Sequence, residues 1–292
     1  MTLARELIRI AGITLRLHYA DAGLHRSWST AVSRFAVDSD DGDDNFDITV
    51  EEMPDHLDAP AGLLFDSGAV WSAYSTTDGL RIDCHSDTLG PAPYKVAFFS
   101  RDFRQGRILV RRDVYYDTMH PLDYPLDEVL VARLLGLGRG IELHSCGVID
   151  KDGRGQLFVG QSGAGKTTTA RVWLAEGDYE IVSDDRVILR LINGEWRMYG
   201  TPWHGEAELC SPVSAPLAAI HLLVQAPRTE FVALSAGQAV ASLFGCTFPP
   251  FYDAAAVEFT LAALARLVAD VPVRALRFVP DRSLIDRVRS AA

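Results

Sequence analysis

The chain has 292 residues, 48% hydrophobic and 23% charged, a globular composition that excludes disordered and fibrous classes. Its 28 basic and 39 acidic residues leave a net charge of −11, which argues against a general nucleic-acid or anionic-membrane surface but leaves room for a local basic pocket. Four scattered cysteines (Cys84, Cys146, Cys210, Cys246) form no C-x-x-C pair, so neither a zinc cluster nor a disulfide scaffold is indicated and a reducing cytoplasm is expected. Residues 1–10 break every apolar stretch with charge, and no run reaches the roughly 18 to 20 apolar residues of a membrane span, so a soluble, unprocessed protein is expected.

In chain order, residues 8–10 and 13–17 alternate around Ala11-Gly12 as a half-buried hairpin. The run 38–47 holds six aspartates whose spacing fits no EF-hand, and it reads as a solvated acidic loop. Short β-prone runs follow at 63–65, 70–74, 80–82, 95–99 and 107–111, so residues 1–120 read as a strand-rich N-terminal domain. Pro121 and Pro125 mark a connection, and Leu126, Val129, Leu130 and Leu134 share one helical face.

From 121 to 292 the grammar is α/β. Residues 156–159 form an apolar strand, 160–165 a glycine-rich loop, and 166–175 a helix stopped by Gly177. Strands are predicted at 180–183, 186–192, 195–199, 219–225, 230–234 and 273–279, with Asn193-Gly194 as a type I′ hairpin turn. Helices are predicted at 236–244 and 254–269, and Asp281 is placed to cap a last short one.

Residues 160–167, Gly-Gln-Ser-Gly-Ala-Gly-Lys-Thr, match G-x-x-x-x-G-K-[ST]. Glycines let backbone N–H groups converge on phosphate oxygens, the following helix presents its positive end, Lys166 neutralises β/γ charge, and the Thr167 hydroxyl can ligate Mg²⁺. Gly160, Gln161, Ser162, Gly163, Ala164, Gly165, Lys166, Thr167 and Thr168 are therefore the expected nucleotide-binding set, the alternative being a glycine-rich turn without a ligand. Asp184 and Asp185 end the next strand, 18 residues after Lys166 for the first, where a metal-ligating carboxylate belongs.

His144-Ser-Cys-Gly-Val148, the loop just described and Ser183-Asp-Asp-Arg-Val187 together resemble the catalytic core of HPr kinase/phosphorylase and its relatives of the ATP-dependent phosphoenolpyruvate carboxykinase fold, over about residues 126–200. The resemblance implies a P-loop core with a mixed sheet. It implies His144 as an active-site polar group, Lys166 and Thr167 on phosphates and Mg²⁺, Asp184 as general base and Asp185 as metal or supporting partner. Thr167-Thr168 stands where bacterial HPr kinases have Ser-Glu, and Gly200-Thr-Pro-Trp-His-Gly-Glu206 replaces their Glu-x-Arg-Gly signature. These departures point away from HPr and toward a different hydroxyl acceptor.

Trp203, His204, Gly205 and Glu206 read as either a cover for nucleotide or substrate or a plain capped turn; Cys146 reads as a small buried residue. Leu234-Ser-Ala-Gly-Gln238 imitates an ABC-transporter signature, but Ser235 as a helix N-cap explains it. The expected function is Mg²⁺- and ATP- (or other NTP-) dependent phosphotransfer to an unidentified hydroxyl on a protein, peptide or small molecule. The alternatives are a nucleotide hydrolase and a nucleotide-binding regulatory protein. Neither nucleic acid nor membrane is an expected partner, and oligomer formation is left open.

Overall fold

The computed structural model describes residues 5–40, 44–116, 119–177 and 179–290. The chain divides into two units, Met1–Val131 and Ala132–Ala292, with the Pro121 to Pro125 connection inside the first. In the first unit β1 (Arg5–Ile10) and β2 (Ile13–Tyr19) form a hairpin around Ala11 and Gly12, whose φ of 51° and 79° are the left-handed pair of a type I′ turn. After α1 (Thr30–Ser33), β3 (Asp44–Glu52) lies parallel to β2. The antiparallel meander β4 (Leu63–Asp66), β5 (Trp71–Ser75), β6 (Gly79–Cys84), β7 (Lys95–Ser100) and β8 (Gln105–Val110) returns so that β8 runs parallel to β3. The mixed sheet has the order β1-β2-β3-β8-β7-β6-β5-β4.

The acidic run is not only the solvated loop that its composition suggests. Its residues 41–43 lie outside the described residues, but β3 begins at Asp44 and buries Phe46, Ile48 and Val50 in the sheet's core. Asp47 is paired with Arg16 at 2.6 Å and His18 at 3.1 Å. The period-2 apolar pattern outweighs the aspartates because each buried Phe, Ile or Val contributes about 1.5–3 kcal/mol, and the carboxylates between them reach the other face.

In the second unit, after α2 (Leu126–Leu134), which spans the division, come β9 (Ile141–Ile149), β10 (Gly155–Val159) and α3 (Lys166–Glu176). There follow β11 (Glu180–Ser183), β12 (Arg186–Ile192), β13 (Glu195–Gly200), β14 (Ser214–Gln225) and β15 (Glu230–Val232). Then α4 (Ala236–Phe244), α5 (Ala254–Asp270), β16 (Val273–Phe278) and α6 (Ser283–Arg289) complete the unit. The strands follow β10-β9-β12-β13-β14-β16-β15, with β11 on β9. Because β10 also pairs in parallel with β14, the strands β10, β9, β12, β13 and β14 close into a ring.

All of β10 is buried, and its alternation feeds two cores. Leu157 and Val159 pack in a cluster with Leu243 of α4 and Leu264 and Leu267 of α5, and Phe158 packs in another with Ala170 and Trp173 of α3 and Leu284 and Ile285 of α6. Packing on both sides fixes the end of β10, and so fixes where the chain enters residues 160–165. Asn193 and Gly194 adopt φ of 52° and 84°, as the type I′ turn requires. Ser235 caps α4 through a capping box with Gln238. The last helix starts at Ser283 with Arg282 at the N-cap, and Asp281 contributes by accepting the Ser283 amide at 2.9 Å.

Candidate functional site

The loop leaving β10 has backbone demands that only its glycines meet. Gly163 has φ 81° and Gly165 φ 108°; a Cβ on Gly165 would lie 2.7 Å from Phe278 Cζ, and one on Gly160 would lie 2.6 Å from Ala164 Cβ. Gly160 donates its N–H to the His144 carbonyl at 3.3 Å, and Gln225 Nε2 donates to the Gly163 carbonyl at 2.9 Å, so both ends of the loop are tied to neighbouring strands. Gly165 is the N-cap of α3 and offers no side chain to its first turn. Among the described residues, the amides of Ser162, Gly163, Gly165, Lys166, Thr167 and Thr168 have no acceptor within the protein. Gln161, Ser162, Gly163 and Thr168 are exposed and Thr167 is half-buried. Lys166 is buried and folds back to donate from Nζ to the carbonyls of Gly160 at 3.0 Å and Gln161 at 3.2 Å. Burial holds its ammonium below the ordinary lysine pKa, opposed by the negative charge of Asp185.

The neighbouring strands bring His144 and Asp185 to the same end of β10. Ser145 donates its N–H to the Asp185 carbonyl at 2.8 Å, Arg186 is the cross-strand partner of His144, and the His144 N–H donates to the Cys246 carbonyl at 2.8 Å. The His144 ring reaches Asp185 with 2.9 Å between Nε2 and Oδ1. That hydrogen bond, with the positive fields of Arg186 and Lys166, holds the Asp185 carboxyl below the usual carboxylate range despite partial burial. Arg186 Nε stands 3.6 Å from Asp185 Oδ2, its Nη1 lies 3.3 Å from Glu142 Oε1, and its guanidinium covers the Phe248 ring at 4.3 Å.

Asp184 turns the other way, as the alternation of adjacent residues requires. It is fully buried, and its carboxylate accepts amide N–H bonds from Gly205 at 2.9 Å, Ala207 at 3.0 Å and Leu209 at 3.4 Å. A Cβ on Gly205 would stand 2.8 Å from Asp184 Oδ2, so glycine is needed for this close approach. The Trp203 carbonyl accepts from Ser183 Oγ and Thr201 Oγ1, each at 3.3 Å. Asp184, expected as the proton acceptor, is thus engaged in fastening residues 203–209, which leave His204 and Glu206 exposed. Cys146 is a fully buried free thiol whose pKa is raised by burial.

Sequence reasoning missed Glu142, Gln225, Cys246, Phe248 and Phe278, and gave no role to Arg186 within its motif. Their partners lie far away along the chain, and no local pattern signals them. Among the described residues no group of three or more His, Cys, Asp or Glu side chains is disposed to hold a metal ion, so a cation here would need substrate oxygens to complete its shell. Among the described residues no helix is long and apolar enough to cross a membrane.

No family model matches the chain, and no curated protein matches it by sequence. Among solved structures it is similar to the HPr(Ser) kinase/phosphatase from Coxiella burnetii, at 14% sequence identity and a TM-score of 0.23 over 44% of this chain and 92% of that one.

Proposed function

We propose that the Ala132–Ala292 unit binds a nucleoside triphosphate at residues 160–168 and transfers its γ-phosphoryl group to a hydroxyl acceptor, in the manner of the HPr-kinase-like P-loop enzymes that the motifs resemble. The observation that carries this reading is the set of amides without acceptors among the described residues, at 162, 163 and 165–168, gathered with Lys166 at the end of β10 beside the His144 and Asp185 pair. Buried or converging N–H groups at a helix start favour an anion, and the alternating glycines let phosphate oxygens approach the backbone. Lys166 would trade its two carbonyl contacts for phosphate oxygens, where its charge is compensated.

The Thr167 hydroxyl and the Asp185 carboxylate are hard oxygen donors that fit Mg²⁺, and they would hold it together with the phosphates. The ion would supply neutralisation of phosphate charge. Asp185, held ionised, accepts the His144 Nε2–H and leaves the lone pair of His144 on Nδ1. In this reading His144 Nδ1, not Asp184, takes the proton of the acceptor hydroxyl. The acceptor oxygen bonds to the γ-phosphorus, the bond from γ-phosphorus to the β-bridging oxygen breaks, and the nucleoside diphosphate leaves. Asp184 serves by fastening residues 203–209 next to Asp185.

Calorimetric titration of the full chain with ATP and Mg²⁺ tests the reading. The parent binds, and Lys166→Ala binds at least about tenfold more weakly. Equal affinity of parent and variant would refute the loop assignment.

A further inference from the structure

We propose that the outward face of α5 docks a second copy of this chain, as an antiparallel helix pair around a two-fold axis at Ala262. The 17 residues of α5 bury Ala256, Thr260, Leu264 and Leu267, and the two leucines join the core cluster that also holds Leu243 of α4. The opposite face of such a helix is ordinarily charged or polar. α6 keeps to that rule, with Asp286, Arg287 and Arg289 exposed. α5 departs from it: Ala254, Ala255, Leu261, Ala262, Ala265 and Ala269 are all exposed, Leu261 by 41%.

The charges on this face select what covers it. Glu258 and Arg266 stand four residues before and four residues after Ala262, and both are exposed. Glu258 has no hydrogen-bond or ion-pair partner among the described residues. Arg266 donates only from Nε, at 3.3 Å to Asp270 Oδ2, an oxygen that also accepts the Trp196 indole N–H at 3.1 Å. Its terminal nitrogens have no acceptor among the described residues.

A contact between two identical surfaces requires a face that is its own complement. Residues 255–269 meet that requirement about Ala262. In antiparallel register Ala255 lies level with the partner's Ala269, Ala262 with the partner's Ala262, and Glu258 with the partner's Arg266, so opposite charges meet at both ends of an apolar middle. A partner of different sequence would need no such symmetry. Alanines at the crossing let the helix axes approach to about 8 Å, the short end of helix packing distances. Residues 255–269 span about 21 Å of helix. A contact of that length buries less than the roughly 1,200–2,000 Å² of stable interfaces, so the dimer is a transient one, with a dissociation constant on the order of 100 µM.

Sedimentation equilibrium of the full-length protein tests this, at about 0.15 M salt to screen the net charge of −11 on each copy. The average mass should rise toward that of a dimer between about 10 and 500 µM. Glu258→Arg sets like charges at both ends of the pair and should weaken association at least about tenfold, and adding Arg266→Glu should restore it. Both positions are exposed, so the thermal midpoint should stay in place. All four native cysteines are buried, so a thiol introduced at the surface reports alone. Ala262→Cys should form a disulfide-linked dimer under mild oxidation, whereas Arg171→Cys, exposed on α3, should stay monomeric. The proposal fails if the mass stays that of a monomer up to about 500 µM, or if Glu258→Arg associates as well as the parent. It fails equally if the double variant stays as weak as the single one, or if Ala262→Cys cross-links no faster than Arg171→Cys.

Discussion

Arg81 in the first unit and Lys166 in the second are equally shielded from solvent, each 6% exposed, but they are compensated differently. Arg81 forks onto the buried Asp83 with bonds of 2.6 and 2.9 Å and spends a further N–H on the Asp58 carbonyl at 2.7 Å. Lys166 meets only two carbonyl oxygens, among amides that have no acceptor. A closed pair is architecture, since each charge answers the other. A buried cation hydrogen-bonded only to carbonyls, surrounded by open donors, is what the proposed phosphate site needs in order to accept an anion from outside.

The largest effect should come from breaking the closed pair. Arg81→Met leaves the Asp83 carboxylate buried without its counter-charge and should cost about 3–5 kcal/mol in urea unfolding. Lys166→Met removes a desolvated charge that has no ion-pair partner, so its unfolding free energy should change by no more than about 1 kcal/mol. Equal losses in the two variants would erase the distinction.

Asp185 and Asp184 sharpen the same contrast within two adjacent residues. Asp185→Asn should lower phosphotransfer by about 10²-fold and raise the Mg²⁺ requirement in steady-state assays, with little loss of stability. Asp184→Asn loses acceptor capacity toward the Gly205, Ala207 and Leu209 amides and should cost about 1–3 kcal/mol, read by urea unfolding and by faster amide exchange across residues 203–209. The reverse pattern would return Asp184 to the role of base.

A smaller effect is expected from acid. His221 is buried between Phe158 and Phe231, with Nε2 3.0 Å from Gln156 Oε1, and burial pushes its pKa down to about 3. Below its ordinary pKa of about 6.5 the unfolded chain binds a proton that the folded chain refuses. Its contribution is therefore complete at neutral pH and is lost progressively as the pH falls from about 6.5 toward 3. His221→Phe should show a shallower fall than the parent in unfolding experiments between pH 6.5 and 4.5. Parallel curves would mean that His221 is protonated in the fold.

The strand, loop and helix around residues 155–176 were legible because the required φ values and close approaches leave few alternatives to Gly163 and Gly165. The turn at Asn193-Gly194 and the cap at Ser235 were legible for the same local reason. β3 was obscured by its aspartates although Phe46, Ile48 and Val50 carry a strand's period. That Asp184 and Asp185 face opposite ways follows from their adjacency. Which one faces the loop does not, because it is decided by amides more than twenty residues later. The Glu142 and Arg186 contact likewise depends on segments brought together only by the completed fold.

In the proposed reading the open amides of residues 162, 163 and 165–168 receive the nucleotide's phosphates. Amide chemical shifts of isotope-labelled full-length protein, recorded with Mg²⁺ and increasing ATP, test it residue by residue. Saturable movement of the Gly163, Gly165, Lys166 and Thr167 amides is expected with ATP and none with adenosine, which lacks the phosphates. ATP that binds while leaving these four amides unmoved, or adenosine that moves them equally, would contradict it.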